Sequence, residues 1–366
     1  MKHIHKTIFI TDDYYTSQYF SDGFVFFDIE TTGLSSKTSF IYLIGLAVRE
    51  NGRIHIHQFL AQNRSDEADL LAAFYAMLHP SDILVTFNGA GFDIPFINAR
   101  SRSYSSLHND LSSYEQIDLY RLSANYAHLF HLPDKKQKSI ERFLGISRED
   151  QYTGKELISI YYEYEKEQKK EPETLLLLHN YEDVLGMTKL LSLFAYRDLF
   201  REPHKLVNSH LEMYHPYGSD TEETELLLEL SVPVRFPSPF LYQGDLCSLH
   251  CKDSSVKLVI PVYTGILKFF YDNYKDYYYL PEEDTAIHKS VASFVDSSHR
   301  KKATAKTCYT KRSGTFLPQK DIWFTPVFSF ERNARISFFE LNDDFLGDHS
   351  ALLQYADYLL SSCLQK

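Results

Sequence analysis

Residues 24 to 34 read FVFFDIETTGL, an apolar run interrupted by two carboxylates. Successive side chains of a β-strand point to opposite faces, so Asp28 and Glu30 share one face while Phe27 and Ile29 share the other. Like charges side by side on a core strand repel, and burying them unpaired is costly. The pattern therefore calls for a compensating cation, either an arginine or a metal ion.

Two more strand-like runs follow, FIYLIGLAVRE (40 to 50) and RIHIHQFLAQ (53 to 62), separated by Asn51-Gly52. Asn-Gly is a two-residue hairpin signal, so these three strands are expected to form an antiparallel meander, with His55 and His57 on one polar face. Ser65 opens the amphipathic stretch SDEADLLAAFYAML, with Glu67 and Asp69 in its first turns and Leu70, Leu71, Phe74 and Leu78 at helical spacing. A fourth strand is expected over DILVTFN (82 to 88). From about residue 91 to 198 the pattern is mainly helical. It includes KSIERFLG, closed at Gly145, a helix over TGKELISIYYEYEKEQ, and another from Pro172 to about Phe200 with Glu171 and Glu173 at its positive end. After residues 201 to 206 the texture turns to strand signals: LLLELSV, VKLVIPVY, GILKFFY and DIWFTPVFSF. These predict two domains, 1–202 and 203–366, the second a β-rich α+β domain.

A chain of 366 residues that is 44% hydrophobic and 24% charged is long and apolar enough for two such cores and is ordinary for a globular protein. Its apolar runs fall far short of the ~20 residues that cross a bilayer, and its start lacks a signal-peptide core, so no membrane association and a cytoplasmic location are expected. Four scattered cysteines agree with a reducing compartment. A net charge of −11 excludes a protein coated in positive potential but leaves room for a local basic groove.

Three motifs carry chemistry. Asp28-x-Glu30 lies on a strand; N88-G-A-G-F-D93 runs from a strand end through a glycine-rich turn and presents Asp93 at a helix start; H179-N-Y-E-D183 lies inside a helix, where i and i+4 project together. Four carboxylates drawn from these elements can converge only on divalent cations, and hard oxygen ligands suit two Mg²⁺ or Mn²⁺ ions. Such a pair stabilises the attacking and leaving oxygens of a phosphodiester displacement, with His179 beside Asp183 set to take a proton from the attacking water. Thr31, Asn88, Gly89 and Phe92, next to these acids, are candidate substrate contacts.

In this order, and with FDIETTGL, YLIGLAV, FNGAGFDIPFI, SIERFLGISRED and HNYEDVLGM around them, residues 24 to 195 resemble the DnaQ-like DEDD exonucleases of the ribonuclease H-like superfamily. The resemblance implies an α/β fold, a mixed sheet of antiparallel meander plus parallel strands flanked by helices. It implies 3′ to 5′ hydrolysis of DNA or RNA, with Asp28, Glu30 and Asp183 on a first metal, Asp28 bridging to a second, and Asp93 acting largely through water. Proofreading members carry a histidine five residues before the last aspartate or a tyrosine four before it. Here His179 combines the residue type of one subclass with the spacing of the other.

Other features are weaker signals. Cys247, His250 and Cys251, with Cys308, lack a second zinc half-site and are expected to be buried thiols. Residues 297 to 320 hold Arg300, Lys301, Lys302, Lys306, Lys311, Arg312 and Lys320 with no acid among them. Lys301, Lys302 and Lys311 are the candidate phosphate contacts there, and Tyr309 or Phe316 the candidate base-stacking rings. The alternatives to an exonuclease are a nucleic-acid-binding module without turnover and a structure-specific endonuclease.

Overall fold

The computed structural model describes residues 1–9, 13–107, 109–201, 203–218 and 220–365. Among these, a six-stranded sheet is built from β1 (Lys2–Phe9), β2 (Phe24–Thr31), β3 (Ile41–Glu50), β4 (Arg53–Leu60), β5 (Ile83–Thr86) and β6 (Glu115–Asp118), in the order β1-β4-β3-β2-β5-β6. β2, β3 and β4 form the antiparallel meander, and β2, β5 and β6 run parallel. Asn51 and Gly52 take φ of 52° and 73°, the left-handed backbone of the hairpin turn that Asn-Gly favours. β1 was not expected. Its sequence KHIHKTIF is too polar to announce a strand, yet it pairs with β4 from Lys2 opposite Leu60 to Phe9 opposite Arg53.

The helices of this unit are α1 (Tyr14–Tyr19), α2 (Glu67–Ala76), α3 (Asp93–Ser101), α4 (Leu119–Ala124), α5 (Gln137–Phe143), α6 (Gly154–Glu167), α7 (Lys170–Lys189) and α8 (Phe194–Leu199). The single helix expected from Pro172 to Phe200 is instead α7 and α8 joined by a 3₁₀ segment, Leu190–Leu193. Leu190, Leu191 and Leu193 of that segment are all fully buried.

Alternation along β2 decides what lies on each side of the sheet. Phe27 packs against Phe74 of α2 with ring centroids 5.2 Å apart, whereas Asp28 and Glu30 face α7. The approach of α7 depends on a missing side chain. Gly45 of β3 is the cross-strand partner of Asp28, and a Cβ there would lie 2.0 Å from Oδ1 and 2.8 Å from Cγ of Asn180 on α7. Asn180 is fully buried and cannot swing aside, because it accepts from Gln58 Nε2 at 3.0 Å and donates to Asp28 Oδ2 at 3.1 Å. A glycine inside an apolar strand thus marks close approach of another element.

The chain divides into two compact units, Met1–Arg201 with Phe236–Ser238, and Glu202–Arg235 with Pro239–Lys366. The second unit contains β7 (Lys205–Tyr214), β8 (Glu223–Ser231), β9 (Phe240–Gln243), β10 (Ser248–Lys252), β11 (Ser255–Phe270), β12 (Tyr277–Leu280), β13 (Thr285–His288), β14 (Lys301–Lys302), β15 (Tyr309–Gln319) and β16 (Ser337–Glu340). Its helices are α9 (Lys289–Ala292), α10 (Asp343–Gly347) and α11 (His349–Leu364). Seven of the strands make one sheet, β16-β15-β11-β10-β9 with β8 beside β11 and β7 beside β8, and β13-β12-β14 make another. VKLVIPVY and GILKFFY turn out to be two halves of the 16-residue β11. DIWFTPVFSF is not a strand. Pro326 has no N–H to give a ladder, and the segment's strand-like pairing is limited to isolated bridges, Lys268 with Ser329 and Phe328 with Phe338.

Replacing Gly45 with alanine is expected to push α7 off the sheet, to destabilise the fold by ~1–3 kcal/mol as overpacking does, and to break the Asn180–Asp28 hydrogen bond. Urea denaturation checks this; an unchanged midpoint would show that α7 yields without cost.

Candidate active site

Each sequence motif delivers its acids to one place by a different device. β2 turns Asp28 and Glu30 to the α7 side. Asp93 is the first residue of α3, and its Oδ1 accepts from the Ile29 amide at 3.1 Å, which ties the helix start to the middle of β2. His179 and Asp183 project one turn apart from α7, with His179 Nε2 3.0 Å from Asp183 Oδ2 and 3.4 Å from Glu30 Oε1. One oxygen of Glu30, one of Asp183 and a nitrogen of His179 therefore lie within 4.8 Å of one another, close enough to share a cation. Asp28 sits beside them on β2, held by Asn180.

Several residues that complete the site were not anticipated. His179 Nδ1 lies 2.7 Å from Asp150 Oδ2, in the connection between α5 and α6, and Asp150 also receives Lys138 Nζ at 2.6 Å. From the same connection, the buried guanidinium of Arg148 donates to Asp183 Oδ1 at 2.6 Å and lies 3.2 Å from Glu141 and 3.6 Å from Glu182. Glu182 accepts the amides of Glu149 and Asp150, both at 2.9 Å, and so fastens that connection to α7. Asp118, at the end of β6, accepts from the Asn88 amide at 2.8 Å, and its other oxygen has Arg121 3.8 Å away. The signals for these residues were present in SRED, in the asparagine after His179 and in Gly45, but their partners are 29 to 152 residues distant and follow no periodicity.

The remaining candidates fall differently. Thr31 is buried with its hydroxyl given to the Gly33 carbonyl, and Phe92 is half-buried against Phe96. Asn88 is exposed, with φ of 66°, and begins the turn that carries the chain to Asp93 beside the buried Gly89. Tyr181 faces away from Asp183, under the ammonium of Lys6 at 4.3 Å. Lys301, Lys302 and Lys311 belong to the second unit. Residues 297 to 320 have no acid in sequence but acquire them in space. Lys311 pairs with Asp284, Arg312 with Glu340 and Lys320 with Asp245, while Lys301 and Lys302 stay exposed. Tyr309 and Phe316 are buried, so neither ring is available to stack on a base; the fold turned both inward from β15. The four cysteines are buried thiols, outside any disulfide.

The charge balance is uneven. Burial, followed by the charges of Asp183, Asp93 and Glu30, raises Asp28 well above the usual carboxylate range. Burial also pushes Glu30 and Asp93 up to about 7, against the opposing attraction of His179 on Glu30 and the Ile29 amide on Asp93. Asp183 goes the other way. Despite its burial, His179 and Arg148 hold it below its ordinary value. His179 itself is lifted to about 9, its burial outweighed by the hydrogen bond to Asp183 and the charges of Asp183, Glu30 and Asp150. Without a divalent ion, then, His179 is an imidazolium beside both Asp183 and Glu30, while Asp28 and Asp93 are met by hydrogen-bond dipoles, the Asn180 amide and the Ile29 N–H.

The raised groups act in one direction on stability, opposite to that of Asp183. Glu30 and Asp93 bind protons more readily folded than unfolded, so the stability they contribute is lost as pH rises from the ordinary carboxylate range through about 7. His179 contributes stability that is full below 6.5 and lost as pH passes about 9. In EDTA, Tm is expected to fall from pH 5.5 to 8.5, and Asp28→Asn, by removing one of the repelling acids, to raise Tm by ~2–4 °C at pH 8.5. Parallel melting curves for the two proteins across that range would refute the charge assignment.

A family profile for the RNase_H superfamily matches residues 25–195. No curated protein matches the sequence. Among solved structures, a complex described as ExoI/SSB-Ct is 11% identical, with 57% of this chain and 54% of that one covered and a TM-score of 0.32. A structure of exonuclease I is 12% identical, with coverages of 58% and 55% and a TM-score of 0.33. The zinc-bound E. coli ExoI–ssDNA complex is 12% identical, with coverages of 57% and 54% and a TM-score of 0.32. The chain spans about half the length of these structures. The mixed sheet and the helices on both of its faces agree with the profile match: residues 25–195 carry a ribonuclease H-like fold.

Proposed function

We propose that this unit is a divalent-metal-dependent nuclease of the DEDD type, which removes nucleotides from the 3′ end of a DNA or RNA strand. The observation that carries the reading is the convergence of Asp28, Glu30, Asp93 and Asp183, three of them raised chiefly by loss of solvent and further by their neighbours' negative charge. The polarity rests on the resemblance of the three motifs to that group. The donor set fits hard cations. Asp28, Glu30 and Asp183 would hold one Mg²⁺ or Mn²⁺, with Asp28 shared with a second and Asp93 acting through water. When bound, such ions supply positive charge to the attacking and leaving oxygens of a phosphodiester displacement.

The chain's own groups do the rest. Asp150, anchored by Lys138 and by its own amide to Glu182, holds His179 Nδ1 and fixes the direction of Nε2. With the charges of Glu30 and Asp183 taken up, the attractions that lift His179 fade and burial favours the neutral ring. Nε2 then accepts a proton from the attacking water. Arg148 keeps Asp183 ionised throughout. In the second unit, Lys301 and Lys302 are exposed and suited to meet phosphate, whereas Lys311 is paired with Asp284.

One observation favours a second reading, a module that binds nucleic acid without cutting it. Both oxygens of Asp183 already have a cation from the protein, Arg148 on one and His179 on the other. The deciding assay follows 5′-labelled single-stranded DNA and RNA with Mn²⁺, Mg²⁺ or EDTA. The wild type is expected to give a metal-dependent ladder shortening from the 3′ end, and Asp28→Ala none. Lys301→Glu with Lys302→Glu should weaken binding and flatten its salt dependence. Retained binding with no cleavage would replace the nuclease by the binding module.

Asp150 acts as a positioning residue through His179. Asp150→Asn is expected to lower kcat ~10- to 100-fold and to move the rising limb of the pH–rate profile to lower pH, because a charge that raises His179 is removed. A loss of rate with the limb unmoved would reduce Asp150 to a packing role.

A further inference from the structure

A second concentration of ligand atoms lies on β1 and β4. His3-Ile4-His5 and His55-Ile56-His57 each place two imidazoles on one strand face, and the antiparallel register sets His5 opposite His57. Nε2 of His3 comes to 3.0 Å from Nδ1 of His57, and Nε2 of His5 to 3.0 Å from Nδ1 of His55. The His5 ring stacks on His57 with centroids 4.4 Å apart, and His3 stacks on Phe59 at 4.6 Å. The result is a ladder of four imidazoles in two facing pairs.

The spacing has a chemical meaning. Two imidazoles on one ion, with metal–nitrogen bonds of about 2.0–2.1 Å, bring their donor atoms about 2.9–3.4 Å apart for bond angles between square and tetrahedral. Both pairs fall in that interval. His55 and His57 are half-buried on β4, which is flanked by β1 and β3, whereas His3 and His5 are exposed on the edge strand. Each pair therefore joins a fixed ring to one with room to turn its lone pair toward an ion. Burial and the surrounding imidazoles push His57 down to about 4, so that ring is neutral near pH 7.

We propose that the β1–β4 histidine ladder binds one divalent transition-metal ion of the zinc, nickel and copper class through a facing pair of imidazoles, clamping the edge strand to the sheet. Imidazole nitrogen selects these ions over Mg²⁺ and Ca²⁺. A second ion, one ring-stack away, meets the repulsion of the first, so one per chain is the expected load. In neutral imidazoles the proton on the facing nitrogen moves to the other ring nitrogen, and no oxidation or covalent step is involved.

The test is calorimetric titration of the full-length protein with Ni²⁺ in excess Mg²⁺, with Tm as a second readout. The wild type and Asp28→Asn are both expected to bind one equivalent at the ladder and to melt several degrees higher with Ni²⁺. His3→Gln with His5→Gln should bind it at least ~10- to 100-fold more weakly, the range that loss of even an outer partner of a metal ligand produces. Its Tm without metal, equal to that of the wild type, would show that the fold is intact. Cu²⁺ bound to the wild type should show nitrogen hyperfine splitting that the double variant lacks. Unchanged Ni²⁺ affinity in the double variant, binding that disappears only with Asp28→Asn, or no binding by the wild type would each overturn the proposal. The last outcome would leave the pairs as hydrogen-bonded neutral imidazoles. Because Asp28→Asn reports on the carboxylate site separately, failure here does not touch the nuclease reading.

Discussion

Repulsion among acids confined to a dry place organises the first unit. Asp28, Glu30, Asp93 and Asp183 can be brought together only if something carries positive charge or hydrogen-bond dipoles to them, and α7 with the connection it anchors supplies much of this. Every residue of HNYED has a separate task around the helix. His179 meets Asp150, Glu30 and Asp183. Asn180 holds Asp28, Tyr181 lies beneath Lys6, Glu182 fastens the 148–150 segment, and Asp183 completes the carboxylate group. A helix advances about 100° per residue, so the three middle positions spread around it while Asp183 returns to the side of His179, and one short motif serves the sheet, the solvent side and the site at once.

The question raised by two acids on one strand, arginine or metal, receives a divided answer. On the Asp183 side the protein provides its own cations, Arg148 and a protonated His179. On the Asp28 and Asp93 side it provides only dipoles, the Asn180 amide and the Ile29 N–H. An amide dipole offsets part of a carboxylate's burial cost and leaves its charge in place.

Much of this was legible in the sequence, for definable reasons. The DxE strand, the Asn-Gly hairpin, the helix start at Asp93 and the i, i+4 pair on α7 are local patterns with fixed geometry, and each appears in its expected element. Asp150 and Arg148 escaped notice because their importance lies in partners on another helix, which no spacing rule connects. β1 was hidden by its lysines and histidines. In the second unit the aromatic residues stood in a basic segment, but Tyr309 and Phe316, seven residues apart, fall on opposite faces of β15 and are covered separately, Tyr309 beside Phe270 and Tyr279 and Phe316 beside Phe328, packing that a single strand does not reveal. The same blindness made the segment look acid-free when Asp284 and Glu340 lie across from it.

The polar character of β1 also bears on how the folded protein behaves in a crowd. Among the described residues, the six-stranded sheet ends in β1 on one side and the four-residue β6 on the other. An exposed edge is a template for another chain's strand, and proteins blunt such templates by shortness or by charge. β6 is short, and β1 carries Lys2 and Lys6 on one face with His3 and His5 on the other. A strand docking from another molecule would have to strip water from those lysines and imidazoles. The residues that concealed β1 in the sequence thus keep one copy of the sheet from growing onto the next.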